Sequence, residues 1–225
     1  MNYYKIFATI PSSFFYYKLN KQLETMQDKK LALNSTCIFH ASTTVLLGLI
    51  YIFSSSFNEH SPIFIQMNTG GYVLFDIYYM IIDAKYDLLR QMYIYHHISV
   101  YSYMLLSHTK YYWPQVIFFA ELSNIPNYIV YYNLKKDIKK YGNKNQKSQL
   151  TKQLLTIQMY FYAFFRVFVL GYYGFKELII RDKIPIPIYM TSILYIFGLI
   201  WFGSMVKQYM NNIKKKSLLW SIYGS

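Results

Sequence analysis

The chain has 225 residues, 54% of them apolar and only 15% charged, with 27 Tyr, 17 Phe and a formal charge of +13; this composition lies outside the soluble range and marks a membrane protein. Its basic residues fall between the apolar runs without a basic face bearing readout motifs, which excludes nucleic acid as a partner. The single cysteine, Cys37, excludes an internal disulfide and any cysteine-based metal cluster.

Residues 3–19 are apolar but short, contain Pro11 and carry Lys5 and Lys18. They predict an interfacial or re-entrant helix, with an extra span as the second reading. No small-residue cleavage site follows a compact apolar core, and arginine is scarce, which argues against a secretory signal and a transit peptide. Further along, runs long enough or nearly long enough to cross ~30 Å of hydrocarbon lie at Leu31–Phe53, Gln66–Ile82, Leu88–Ser107, Tyr112–Leu134, Leu154–Ile180 and Ile186–Val206. Mean hydropathy is only slightly positive because the scale counts tyrosine as polar although its ring buries well. The expected fold is therefore all-α and integral to the membrane, a bundle of six core transmembrane helices. It divides into an N-terminal interfacial segment over 1–30, a transmembrane domain over 31–210 and a basic C-terminal tail over 211–225. Within Gly142–Ser148 the sequence Asn-Lys-Asn-Gln-Lys reads as a solvated, flexible connection.

With six spans, eighteen Lys and Arg fall on one side of the membrane and four on the other. Seven of the eighteen, Lys135, Lys136, Lys139, Lys140, Lys144, Lys147 and Lys152, crowd a single loop. The four opposite are Lys110, Lys176, Arg181 and Lys183. By the positive-inside rule both termini then face the cytosol, for the endoplasmic reticulum or another endomembrane, or the matrix, for the mitochondrial inner membrane.

Ionisable and amide groups inside apolar runs are expensive, so they normally face one another or a wet cavity. His40 shares a helical face with Thr36, Thr43 and Thr44, and Asp76 shares one with Tyr72, Tyr79, Met80 and Asp83. His96 and His97 are adjacent, hence about 100° apart on a helix, and cannot chelate one ion together; no metal site and no cofactor is expected. The pair suits proton transfer or nucleophilic chemistry, or equally two interhelical hydrogen bonds. Pro126 lies among Glu121, Asn124 and Asn127, where it predicts a kink with freed backbone acceptors. Arg166 is the only arginine deep within a predicted span, Arg90 lying at the edge of another, so Asp76 or Glu121 is its expected partner.

Ser35-Thr-Cys-Ile-Phe-His40, Gly71-Tyr-Val-Leu-Phe-Asp76, Tyr95-His-His97, Glu121-Leu-Ser-Asn-Ile-Pro-Asn127 and Phe164-Phe-Arg166 occur in an order that resembles the TLC-domain family of multi-pass membrane proteins. The resemblance runs from about residue 31 to 210; no one piece is specific, while their order and helix placement are. It implies six core helices around a lipid-accessible cavity with the histidine pair lining it. In the ceramide synthases of that family the pair belongs to an acyl-transfer site together with acidic residues on the same and following helices. Here Ala120-Glu121-Leu-Ser-Asn124 stands where the synthases carry two aspartates, which argues against ceramide synthesis and resembles the non-synthase members linked to membrane phospholipid composition.

The resemblance thus implies a lipid-binding protein of membrane lipid homeostasis. If it is an enzyme, the activity is acyltransferase-like, with His96, His97 and Glu121 as catalytic candidates and His40, Asp76, Asn124, Asn127 and Arg166 lining the cavity. The alternative is a non-catalytic accessory or structural subunit of a large membrane complex such as a mitochondrial respiratory assembly, which suits a chain with almost no extramembrane domain. Expected partners are accordingly membrane lipids or the subunits of such a complex. A transporter ranks third, since no inverted repeat is visible.

Overall fold

The computed structural model describes the backbone of residues 3–53, 61–82, 88–106, 113–143, 146–180 and 186–223. Side chains are described within 7–53, 62–82, 90–105, 113–143 and 146–176 and, in the last helix, for 189, 192, 193 and 195–210. The elements among the described residues are all helices: α1 (Tyr3–Glu24), α2 (Lys29–Phe53), α3 (Ser61–Ile82), α4 (Leu88–Leu106), α5 (Trp113–Tyr141), α6 (Gln149–Tyr162), a π-helical segment (Ala163–Val169), α7 (Leu170–Ile180) and α8 (Ile186–Tyr223). The π segment joins α6 and α7 into one rod, so the described residues make seven rods. Two rods, Lys29–Phe53 and Gln149–Lys176, are long and apolar enough to cross a membrane. Each of the six apolar runs falls on a rod. The run ends at Ser107 and Tyr112 lie outside the described residues, as do Asp83, Lys85, Lys110, Lys144, Arg181 and Lys183. The basic tail continues α8 to Tyr223, its side chains undescribed from residue 211.

Side-chain contacts give the direction of each rod. Thr36 of α2 meets Asn20 of α1 and Tyr16 meets His40, so α1 and α2 are antiparallel. Cys37 meets Tyr72 and Thr44 meets Thr69, so α2 and α3 are antiparallel as well. The remaining neighbours alternate in the same way, as Asp76 with His97, Asn34 with Tyr128, Asn127 with Gln158 and Gly171 with Tyr195 show. Consequently α1 runs parallel to α3, with Tyr16 packed on Tyr72 and Phe75, and Tyr17 on Tyr78.

The N-terminal segment, expected at the membrane interface, is thus a full member of the bundle. At 1.5 Å per residue its 22 residues span about 33 Å, matching the 22 residues of α3. Close approach depends on a glycine pair: a Cβ at Gly70 would lie 2.7 Å from Thr9 Cγ2, and one at Gly71 would lie 2.8 Å from the backbone carbon of Ser12. Small residues that let backbones approach are the usual device for joining helices where apolar burial gives no preference.

Polar side chains share the interior with apolar ones, and many large apolar side chains lie on the outside. Thr9, Asn20, Thr36, His40, Thr44, Thr69 and Ser123 are buried, while Phe7, Phe14, Leu46, Phe53, Ile81, Phe164 and Phe168 are exposed. Hydrophobic clusters around Tyr16, Tyr72 and Phe75 and around Tyr103, Met104 and Trp113 fill the space between helices.

The α5–α6 connection is fastened by side chains. Asp137 Oδ2 accepts from Ser148 N at 2.8 Å and Ser148 Oγ at 3.0 Å, and Ser148 N-caps α6 through Thr151 N at 3.2 Å. The connection expected to be flexible is therefore anchored at its end.

Candidate functional site

The 3.6-residue period puts Thr36, His40 and Thr44 on one face of α2, and all three are fully buried. The His40 ring stacks on Tyr72 with centroids 4.0 Å apart and planes 3° from parallel. Tyr16 donates its hydroxyl hydrogen to Asn68 Oδ1. That orients the amide so that Asn68 Nδ2 donates to Thr44 Oγ1 at 2.8 Å and lies 3.4 Å from His40 Nδ1. With a donor facing Nδ1, the proton of the neutral ring belongs on Nε2. His40 Nε2 faces Glu121 Oε1 at 3.5 Å, an electrostatic contact rather than a well-formed hydrogen bond. Glu121 Oε2 accepts from Asn124 Nδ2 at 3.3 Å.

A second pair joins α3 to α4. His97 Nδ1 donates to the carbonyl of Tyr93 at 2.8 Å, and His97 Nε2 lies 3.2 Å from Asp76 Oδ2. Because a carbonyl can only accept, Nδ1 carries a proton. The contact between Nε2 and the carboxylate then requires a second proton, held by the ring or the acid. Both residues are buried, at 9% and 8% exposure. Tyr72 abuts both pairs, stacked on His40 and 6.3 Å from the His97 ring centroid. Its hydroxyl meets Cys37 Sγ at 3.1 Å.

His96 points elsewhere, as helical geometry requires of adjacent residues. Its ring is 83° from that of His97 and packs edge-on against Trp201 and Phe197 of α8. Across from it, the π segment carries Arg166, which is only 5% exposed. Its guanidinium lies 5.9 Å from the Tyr162 ring centroid, and its stem occupies the space left by Gly198. The pairing with Asp76 or Glu121 expected from sequence is not made. Asp76 is engaged by His97, and the Glu121 oxygens face His40 and Asn124. Arg166 Nη1 has no hydrogen-bond partner among the described residues, and neither has His96 Nδ1.

Arg166, His96 and Glu121 share the wall of a cavity of about 540 Å³ between α4, α5, the π segment, α7 and α8. The rest of its lining is chiefly apolar, including Val100, Ile117, Val167, Leu170 and Tyr195. Phe168, Phe175 and Ile196 line it and are exposed, so it opens at the side of the bundle.

Of the residues singled out in the sequence, His96, Glu121 and Arg166 meet at the cavity. His40, His97 and Asp76 form the buried network behind it, with Asn124 braced against Glu121. Asn127 is turned away and accepts from Gln158 Nε2 at 2.9 Å. Helix α5 is continuous through Pro126; Asn34 Nδ2 donates to the Tyr128 carbonyl at 3.2 Å, so α2 braces the stretch where a kink was expected. The sequence reading passed over Tyr16, Asn68 and Trp201. Gly70-Gly71 was the signal for the first two, because a glycine pair marks where another helix approaches. Among the described residues no group of His, Cys, Asp and Glu is arranged to hold a metal ion. No family model matches the chain, and neither a curated protein nor a solved structure matches it.

Proposed function

We propose that this chain is a seven-span helical membrane protein that holds an acyl chain or membrane lipid in the cavity between α4, α5, α7 and α8, in the service of membrane lipid homeostasis. The observation that carries this reading is the cavity itself: an apolar wall, a polar floor of Arg166, His96 and Glu121, and an opening flanked by exposed Phe168, Phe175 and Ile196. Its volume of about 540 Å³ falls in the 300–1,000 Å³ typical of small-molecule sites. Exposed apolar side chains around a polar interior support membrane embedding, and the order of motifs resembling TLC-domain proteins supports a lipid as occupant. If α3 spans, the parallel α1 spans with it, which puts the beginning of α1 and the end of α8 on opposite faces. The lysine-rich α5–α6 connection stays on the positive-inside face. Binding rather than catalysis fits the geometry, because His97 is turned to Asp76 and is not part of the cavity lining.

The test is lipid extraction from protein purified in mild detergent, followed by mass spectrometry. The native chain is expected to carry a stoichiometric lipid, and Ala120→Phe, which fills the cavity, is expected to lose most of it while remaining folded. Equal lipid content in the two proteins would remove the cavity from the function.

A further inference from the structure

Resting on the lipid-binding reading, we propose that the ligand is a single-chain amphiphile with a carboxylate head, a free fatty acid, and that Arg166 is the group that holds the head. Three observations converge. Arg166 is 95% buried, and its Nη1 has no hydrogen-bond partner among the described residues. Among the described residues the only carboxylate on the cavity wall, Glu121, directs its oxygens to His40 and Asn124. His96 Nδ1, on the same wall, is likewise buried and unpartnered.

A guanidinium enclosed in an apolar wall is strongly destabilised unless an anion accompanies it. Among the described residues no acid is hydrogen-bonded to it, and Glu121 acts on it only through space, so the unpartnered Nη1 is open to an anion brought by the ligand. A carboxylate matches the planar fork of arginine through two parallel N–H···O bonds. Its single charge matches that of Arg166, whereas a phosphate dianion carries one negative charge more than the guanidinium balances. The volume sets the tail. A volume of about 540 Å³ is within the range of sites for one small molecule, which suits a single acyl chain better than the two of a phospholipid.

The experiment compares palmitate, hexadecanol and hexadecyl phosphate as competitors for tritiated palmitate on the delipidated full-length chain in detergent. Palmitate is expected to bind at least tenfold more tightly than hexadecanol. Arg166→Gln is expected to abolish that difference, and Arg166→Lys to keep part of it. Protection of the buried Cys37 thiol from alkylation reports that each variant is folded. The acid-versus-alcohol comparison on the native protein stands even if a variant unfolds. Equal binding of acid and alcohol, or a preference for the phosphate, overturns the carboxylate assignment and leaves the lipid cavity in place. Retention of the acid preference in folded Arg166→Gln overturns the role of Arg166. Failure of all three amphiphiles to bind overturns the lipid reading itself.

Discussion

Asp76 and His97 hold a proton between two atoms that otherwise only accept, which makes each residue the condition for the other's burial. Removing one partner of a buried pair strands the other and typically costs about 3–5 kcal/mol. We predict that His97→Ala lowers the unfolding temperature sharply, and that adding Asp76→Asn, which no longer carries a charge, recovers a large part of the loss. The readout is built in: Cys37 is the only cysteine and is buried, so its alkylation by a thiol-reactive dye on heating follows unfolding. Arg166 behaves differently because, among the described residues, no acid is hydrogen-bonded to it; Glu121 meets its charge only through space. Without ligand, Arg166→Leu is expected to unfold at the same or a higher temperature than the native chain, and neutralising Asp76 or Glu121 beside it brings no recovery; a large drop reversed by the second substitution would restore the ion pair that the sequence suggested. At this scale the sequence showed which residues matter, since a charge in an apolar run is conspicuous. It did not show who pairs with whom. Arg166 was assigned an acid by electrostatic need alone, whereas His40 and His97, one helix turn from their hydrogen-bonding neighbours, already occupied both acids.

At the scale of elements, the α1–α3 seam and the α5–α6 connection each rest on a few atoms. Gly71→Ala places a methyl group against Ser12 and is expected to destabilise by about 1–3 kcal/mol, as overpacking does. Gly203→Ala, where nothing lies within 4 Å of the added carbon, is the control and is expected to be neutral in the same alkylation assay. At the α5–α6 connection, burial alone would raise the Asp137 carboxyl, but hydrogen bonds from Thr151 and Ser148 outweigh it and hold it below the ordinary aspartate value. The fastening is therefore at full strength above about pH 4, the unfolded aspartate value, and is lost as pH falls through the lower folded value. Amide exchange at Ser148 and Thr151 is expected to quicken below that point, and Ser148→Ala, which removes the N-cap at a cost of about 0.5–2 kcal/mol, is expected to quicken it at neutral pH. The helices themselves were legible from apolar runs. What periodicity did not expose was the seam, because α1 carries Pro11, Lys5 and Lys18 and its partner face is written in tyrosines and threonines rather than in aliphatics.

For the whole molecule, alternation of rods places both ends of every helix on a definite face. Single cysteines introduced at Phe7 and Gln146, in a Cys37→Ala background, are expected to react with an impermeant reagent from opposite sides of sealed vesicles, while one at Gln22 reacts from the same side as Gln146. Labelling of the Phe7 and Gln146 sites from one side would overturn the seven-span proposal and favour α1 at the membrane surface. The sequence expectation of six core helices and a separate N-terminal helix differs from the bundle in where that one helix packs, and the cavity is assembled from residues as distant as His96, Glu121 and Arg166, a meeting that no single-helix pattern encodes. The π segment decides that meeting. Such a turn arises when one residue more than an α-helix holds is accommodated in its run, and each residue shifts the phase by about 100°. Upstream, Ser148 and Gln158 keep α6 registered on α5; downstream, Gly171 keeps α7 registered on α8 through Tyr195. Deleting one residue from Ala163–Val169 would force the rod to choose between those two registers. Arg166 thus owes its place at the cavity to a phase slip, a kind of coding that lies in the length of a segment rather than in the identity of any residue within it.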